Sequence, residues 1–315
     1  MSRSTFSMAP KNSELERLCL RLMRADPPRS KSLILTIFGD SLLPHVSQLW
    51  LADLITLLEP LGVNAQLART SAFRLAAEGW LASRREGRSS LYSLTQSGES
   101  RVRHAYSRIY DPPVQQWDGE WTILIPGEEG SSIRGRTALR QELEWAGFGR
   151  INARLFLHPC PDVGVLNEIL VRLHLSDDVV SLRARDLDAS SSLSTDTFPS
   201  GCWDLPRVAA HYHAFLKHIR PVLPMLGREL KPKTAFVLQT LLIHRFRRVA
   251  LHDPRLPATL LPEDWPGHEA YEVCRHIYQR THVPVARYLS ETLAEAEEGR
   301  VLPSPGFFDR FGGLR

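Results

Sequence analysis

Hydrophobic positions along the chain follow two periodicities, and the change from one to the other divides it. Within Ser13 to Met23, Leu15, Leu18, Cys19 and Leu22 recur at three- and four-residue intervals, which predicts a short amphipathic helix closed by Pro27 and Pro28. Lys31 to Gly39 predicts a second, strongly apolar helix, and Ser47 to Glu59 a third with Trp50, Leu51, Leu54, Ile55, Leu57 and Leu58 on a broad buried face. Pro60 and Gly62 break the chain before a fourth helix, which Asn64 is suited to cap and Gly79 to end. Trp80 to Arg85 and Ser90 to Leu94 flank the turn Glu86-Gly87-Arg88-Ser89 and predict a hairpin. Thr95 then caps a helix that Asp111-Pro112-Pro113 stops, and that proline pair is the first expected domain boundary.

Beyond it the pattern shortens. Trp121 to Pro126 predicts a strand, Ser132 to Ala146 a helix, and Gly149 to His158 one or two strands broken near Asn152. Val163 to Leu173 is helical again, and Val179 to Arg185 alternates as a strand does. The order β-α-β-β-α-β is that of a ferredoxin-like sandwich. A polar, serine-rich stretch follows, and from Trp203 the pattern is helical: Leu205, Val208, Ala209, Tyr212, Phe215, Leu216 and Ile219 keep three-four spacing. Further helices are expected near Lys233 to Leu251 and His268 to Arg280, with a last one from Val283 to Glu298.

At 315 residues the chain has room for two or three domains, each able to bury its own core. No run approaches the roughly 18 apolar residues of a membrane span, and the first twenty residues lack the apolar stretch of a secretory signal, so a cytoplasmic protein is expected. Cys19, Cys160, Cys202 and Cys274 stand singly, without metal-ligand spacing, and are expected to be buried, reduced thiols. The formal charge of +4 is unevenly placed: residues 1–110 carry 15 basic and 9 acidic side chains, residues 111–315 carry 24 and 26. Arginine supplies 34 of the 39 basic residues, a bias that genomic base composition alone can produce, so position must decide its meaning.

Position points to DNA. Projected at about 100° per residue, the fourth helix puts Leu67, Ala68, Ala72, Leu75 and Ala76 on one face. Gln66, Arg69, Thr70, Phe73 and Ala77 occupy the other, with Arg74 at its margin. Amide, hydroxyl and guanidinium groups near the turn-proximal end of a helix suit base-edge reading in the major groove, so Asn64, Gln66, Arg69, Thr70 and Arg74 are the candidate recognition residues. Phe73 is expected to pack beneath a neighbouring element such as the N-terminal helix rather than meet a thymine methyl. The hairpin adds Arg84, Arg85, Arg88, Ser89, Ser90 and Tyr92 with Glu86 as its one acid, a phosphate-gripping wing in which Arg84, Arg85, Arg88, Ser89 and Tyr92 are the candidate contacts. The fold class is therefore α+β. An N-terminal extension (1–29) precedes a winged helix-turn-helix (30–111), a ferredoxin-like central domain (118–186), a linker (187–202), an all-helical C-terminal domain (203–300) and a tail (301–315).

The stretch LGVNAQLARTSAFRLAAEGWL with the following RREGRSSLYSLTQSGE, and the distant LLIHRFRRVALHDPRLPATLLPEDWPGHEAYEVCRHIY, resemble the phenylacetic acid degradation repressors, the PaaX-type transcriptional regulators. The ferredoxin-like middle matches their Cas2-like central domain, and the likeness covers about 30–298. It implies a repressor of phenylacetate catabolic genes that binds double-stranded operator DNA as a homodimer, needs no cofactor, and is released by phenylacetyl-CoA.

Phosphates of such an acyl-CoA effector would need cations, and Arg245, Arg247 and Arg248 with His252 form the densest basic cluster after the wing. Arg245, Arg248, His252, Trp265 and Tyr271 are the candidate effector residues, against a plainer expectation of surface arginines pairing with Asp253, Glu263 or Asp264. Enzyme readings fit poorly. His211 and His213 diverge on the predicted helix, Glu272 and His276 lack a third metal ligand, and no phosphate loop or nucleophile elbow occurs. The Cas2-like middle raises a metal-dependent nuclease as the alternative, but a Mg²⁺ site would want a carboxylate closing the first strand, which instead ends Ile125-Pro126-Gly127.

Overall fold

Five helices, a strand and a hairpin build the described N-terminal part, as spacing predicts, with one strand more than expected. The computed structural model describes residues 9–43, 48–113, 116–127, 133–185, 201–227, 229–293 and 305–314. Helix α1 spans Ala9–Ala25 and buries Leu15, Leu18, Cys19 and Leu22. Helix α2 (Ser30–Thr36) does not end at Gly39 but widens into a π-helical turn over Ile37–Leu42, where the Leu43 N–H reaches back to the Phe38 carbonyl at 2.7 Å. Gln48–Trp50, expected to be helical, forms strand β1 instead, because it pairs antiparallel with a hairpin strand. Helix α3 is then Leu51–Leu58 and helix α4 Ala65–Ala77. Strands β2 (Leu81–Glu86) and β3 (Ser89–Leu94) complete a three-stranded sheet in the order β1-β3-β2, and helix α5 runs Gln96–Tyr110.

The middle follows the expected ferredoxin-like order: β4 (Trp121–Pro126), α6 (Ile133–Trp145), β5 (Gly149–Asn152), β6 (Leu155–His158), α7 (Val163–Arg172) and β7 (Val179–Ala184). Its sheet is antiparallel in the order β5-β6-β4-β7, with Leu124, Phe156, Leu139, Leu143, Leu166 and Ile169 in the core. His158 is buried here, its Nε2–H donating to the Pro254 carbonyl at 3.1 Å and its Nδ1 accepting from the Cys160 N–H at 2.9 Å. Helices α8 (Leu205–Ile219), α9 (Pro232–Ala250) and α10 (Pro266–Thr292) follow. The two helices expected around Pro284 are one. Val285 and Leu289 continue the buried face of Ile277, Tyr278 and Thr281, so packing on both sides of the proline outweighs the backbone bond that proline removes. The serine-rich linker lies outside the described residues except at Gly201 and Cys202.

Two compact units result. One comprises 1–111, 214–248 and 269–315, the other 112–213 and 249–268. The C-terminal helical region is thus shared between them rather than standing as a third body. Nor are residues 305–314 a free tail: Phe307, Arg310, Phe311 and Leu314 are buried. Of the four thiols, all free, Cys19 and Cys274 are buried but Cys160 and Cys202 only half so; burial pushes the Cys19 thiol up to about 12.

The strongest polar feature of the first unit is a buried ion pair. Asp40, in the π-helical turn, and Arg310 lie 3.2 Å apart with side chains 1% and 0% exposed. Asp40 Oδ1 also accepts from the Tyr110 hydroxyl at 2.7 Å and that of Tyr278 at 2.9 Å, while Oδ2 accepts from Gln239 at 3.0 Å. The Arg310 guanidinium donates to the Asp40 carbonyl at 2.9 Å and the Tyr106 hydroxyl at 3.1 Å, and lies 4.2 Å from the Tyr110 ring centroid. Burial raises the Tyr110 and Tyr278 phenols well above their ordinary range, which keeps both protonated as donors. Phe311 takes a left-handed backbone (φ 54°), rare for a bulky residue, and its ring is held by Tyr110, Tyr271 and Tyr278.

A second buried polar group gives a pH signature. His244 on α9 lies 3.2 Å from the Thr36 hydroxyl, and burial, then the charges of Arg247, Arg248 and Arg245, hold its pKa at about 4 despite an opposing pull from Asp26. Because the folded-state value lies below the ordinary 6.5, its contribution to stability is complete above pH 6.5 and is lost as the pH falls toward 4. Urea denaturation should show the difference in stability between the native chain and His244→Gln shifting by about 2 kcal/mol between pH 7 and pH 5. Parallel pH profiles for the two would show that His244 is not held neutral.

Candidate nucleic-acid interface

Helix α4 is set by the turn before it. Gly62 ends the short helical turn Glu59–Leu61 with φ +80°, a left-handed conformation that suits glycine, and Leu61 and Val63 on either side are buried. Asn64 then caps α4, its side-chain oxygen accepting the Leu67 N–H at 2.9 Å. Its oxygen is therefore occupied structurally, and the side chain's remaining donor is the amide NH₂. Ala68, Ser71, Ala72 and Leu75 are buried, and the Ser71 hydroxyl lies 2.7 Å from that of Ser30 on α2.

Gln66, Arg69, Phe73, Arg74 and Ala77 are exposed and Thr70 is half-buried, as the helical projection expects. Two positions differ. Leu67, placed with the buried set, is 45% exposed, and Phe73, expected to pack beneath a neighbour, is 70% exposed. The Thr70 hydroxyl donates to the Gln66 carbonyl at 2.9 Å, which commits its proton to the helix backbone.

The wing is equally well defined. Gly79 (φ +75°) turns the chain out of α4, and Thr95 ties the base of the hairpin by donating to the Gly79 carbonyl at 2.6 Å and accepting the Gly98 N–H at 2.9 Å. A β-carbon at Gly98 would stand 2.3 Å from the Trp80 carbonyl oxygen, so glycine is required there. The tip is Gly87-Arg88, with Gly87 at φ +58°. Ala82 to Ser89 is exposed throughout, including Arg84, Arg85, Arg88 and Ser89.

Register separates the wing arginines. Arg84 pairs with Leu91 and Arg85 with Ser90, so the two guanidiniums leave opposite faces of the ribbon rather than one. Arg84 is also 2.5 Å from Glu86, and Arg85 donates to the Gly87 carbonyl at 3.3 Å. Tyr92 departs from its expected place among the phosphate contacts. It is buried, paired with Leu49 and Ser83, and burial raises its phenol. Strand alternation turns it inward, where the short β1 brings Leu49 beside it.

The candidate effector residues divide between the two compact units. Arg245 donates to the Leu22 carbonyl at 2.7 Å and Arg248 pairs with Asp26 at 2.7 Å, so both clasp the end of α1 instead of the acids expected for them. The Tyr271 hydroxyl donates to the Tyr110 carbonyl at 3.1 Å, and Trp265 is buried against Tyr212, 5.9 Å between ring centroids. His252 is exposed, in the other compact unit from Arg245 and Arg248. Glu272 pairs with Arg275 at 3.2 Å, and among the described residues no three His, Cys, Asp or Glu side chains group as metal ligands. No helix among them is long and apolar enough to cross a membrane.

Comparison with known proteins gives a consistent result along the chain. Three family models match in order: PaaX-like protein over 29–98, the PaaX protein central Cas2-like domain over 114–195, and the PaaX-like protein C-terminal domain over 203–291. The transcriptional repressor PaaX of Escherichia coli (strain K12) is 38% identical over 307 residues, covering 96% of each chain. Among solved structures, the uncharacterized protein Rv0674 from Mycobacterium tuberculosis is similar at 24% identity, with a TM-score of 0.47, over 74% of this chain and 90% of that one.

Proposed function

The chain belongs to the PaaX-like family and is a transcriptional repressor, not an enzyme, and from that premise we propose that it silences phenylacetate catabolic genes in the cytoplasm and is released from its operator by phenylacetyl-CoA. The observation that carries the DNA-binding part is the pairing of an exposed polar helix face with an exposed cationic wing. Gln66, Thr70 and Arg69 lie along the outward side of α4, and three arginines stand on the adjoining ribbon. Helix groups of this kind read base edges, and wing guanidiniums fix register on phosphates. As a homodimer, two such units would read half-sites about 34 Å apart or a multiple of that spacing.

Release follows if the effector binds better to a state whose half-site spacing no longer fits the operator, since a ligand shifts an equilibrium only by its differential affinity. Support for phenylacetyl-CoA comes from the family resemblance. The basic cluster of α9 lends it no support, since Arg245 and Arg248 are engaged with Leu22 and Asp26.

A gel-shift titration on the promoter next to the gene, with and without phenylacetyl-CoA, tests both parts. Specific retardation abolished by the thioester, but not by free CoA, is the expected result. A complex that survives saturating thioester removes the inducer while leaving DNA binding intact.

A further inference from the structure

We propose that Phe73 is a specificity-determining residue that reads the 5-methyl group of a thymine in the operator, an inference that rests on the DNA-binding reading above. Gln66, Thr70, Phe73 and Ala77 follow one another at intervals of four, three and four residues and form a single line along the outward meridian of α4. Arg69 and Arg74 flank that line on either side, and all but the half-buried Thr70 are exposed. Phe73 sits in the middle of this cationic and polar surface, 70% exposed, and contributes little to the core.

A large apolar ring in that position gains nothing from water or from phosphate oxygens. In the major groove every base edge offers hydrogen-bond donors or acceptors, and thymine alone among the four adds an apolar group, its C5-methyl. The polar groups along and beside the line match those hydrogen-bonding edges, and the apolar centre matches the methyl among them. Phe73 lies about 10 Å along the helix from Gln66, so the methyl it covers should stand about two to three base steps from the pair that Gln66 faces.

The test uses the full chain and one bound promoter fragment amplified twice, with dTTP or with dUTP, which removes every thymine methyl while keeping the sequence and its hydrogen-bonding edges. Fluorescence-anisotropy titrations should show the native chain preferring thymine DNA by about fourfold for each methyl covered, the worth of burying one such group. Phe73→Ala should bind both fragments alike, at the affinity the native chain has for uracil DNA, and Phe73→Leu should recover part of the preference. Single deoxyuridines in a synthetic site then locate the position. Specific binding with no thymine preference in the native chain overturns the inference, as does a preference that Phe73→Ala retains, which would move the reading to Leu67 or Ala77. A Phe73→Ala variant that changes sedimentation instead of thymine preference makes the ring a protein contact. If the native chain binds the fragment no better than random DNA, the repressor reading itself fails and this inference falls with it.

Discussion

Changing Arg310 to Ala lowers stability by about 3 to 5 kcal/mol, because it leaves the Asp40 carboxylate buried without its counter-charge. That is a large part of the 5 to 15 kcal/mol that typically separates folded from unfolded chains. Asp40 would keep its hydrogen bonds from Tyr110, Tyr278, Gln239 and Ser41, yet those dipoles replace only part of a full positive charge placed 3.2 Å away. Arg310→Lys should fall between, since an ammonium cannot reach Asp40, Tyr106 and the Gly39 carbonyl together as the fork does. The double change Arg310→Met with Asp40→Asn should recover most of the loss, as removing both members of a buried pair often does. Urea denaturation midpoints of the four chains decide the matter. A single Arg310→Ala change that costs less than about 1 kcal/mol would mean the pair contributes no more than an exposed one.

Removing the wing cations is the largest functional change expected. With Arg84, Arg85 and Arg88 all changed to Ala, affinity for the promoter should fall by on the order of a hundredfold or more, since charge-assisted bonds contribute about 1.5 to 3 kcal/mol each. The slope of log K against log salt should flatten by about 0.9 for each phosphate released, up to nearly three in all. The loss should be equal on operator and random DNA, leaving the ratio between them unchanged. Arg69→Ala should do the opposite, lowering that ratio while moving the salt slope by one or less. Arg84 is the weakest of the three wing candidates, because Glu86 at 2.5 Å already neutralises part of its charge. Equal losses from wing and helix substitutions on every DNA would end the division of labour between them.

Local chemistry made most of the architecture legible. Asn64, Gly62, Gly79 and Thr95 each do the capping or turning their residue types suggest, and the alternation in Trp121 to Pro126 and Val179 to Ala184 identifies the central sheet. What the sequence hides is set by distance along the chain. β1 is three residues long and is a strand only because β3 pairs with it. The environment of Tyr92 depends on that pairing, so its burial was equally hidden. Arg245 and Arg248 read as a free basic cluster until α1, more than 200 residues earlier, is folded against them. Asp40 had one local sign, a lone acid after a strongly apolar run, and Arg310 another in the aromatic cluster FFDRF. Neither sign names its partner. Phe73 was misplaced for a different reason: projection gives the face on which a residue lies but not whether a neighbouring element covers it.

Synthesis of the chain gives the Asp40–Arg310 pair a temporal meaning. The two residues are separated by 270 positions, which at roughly 5 to 20 residues per second is an interval of roughly 15 to 55 s. During it, the π-helical turn that carries Asp40 lacks the cation that is buried with it in the finished fold, so the first compact unit stays incomplete. A ribosome stalled before position 305 should therefore display a winged helix sensitive to protease, one protected only after Arg310 has emerged. Aborted translation products would then fail to occupy the operator, and only chains that have been read through would compete for it.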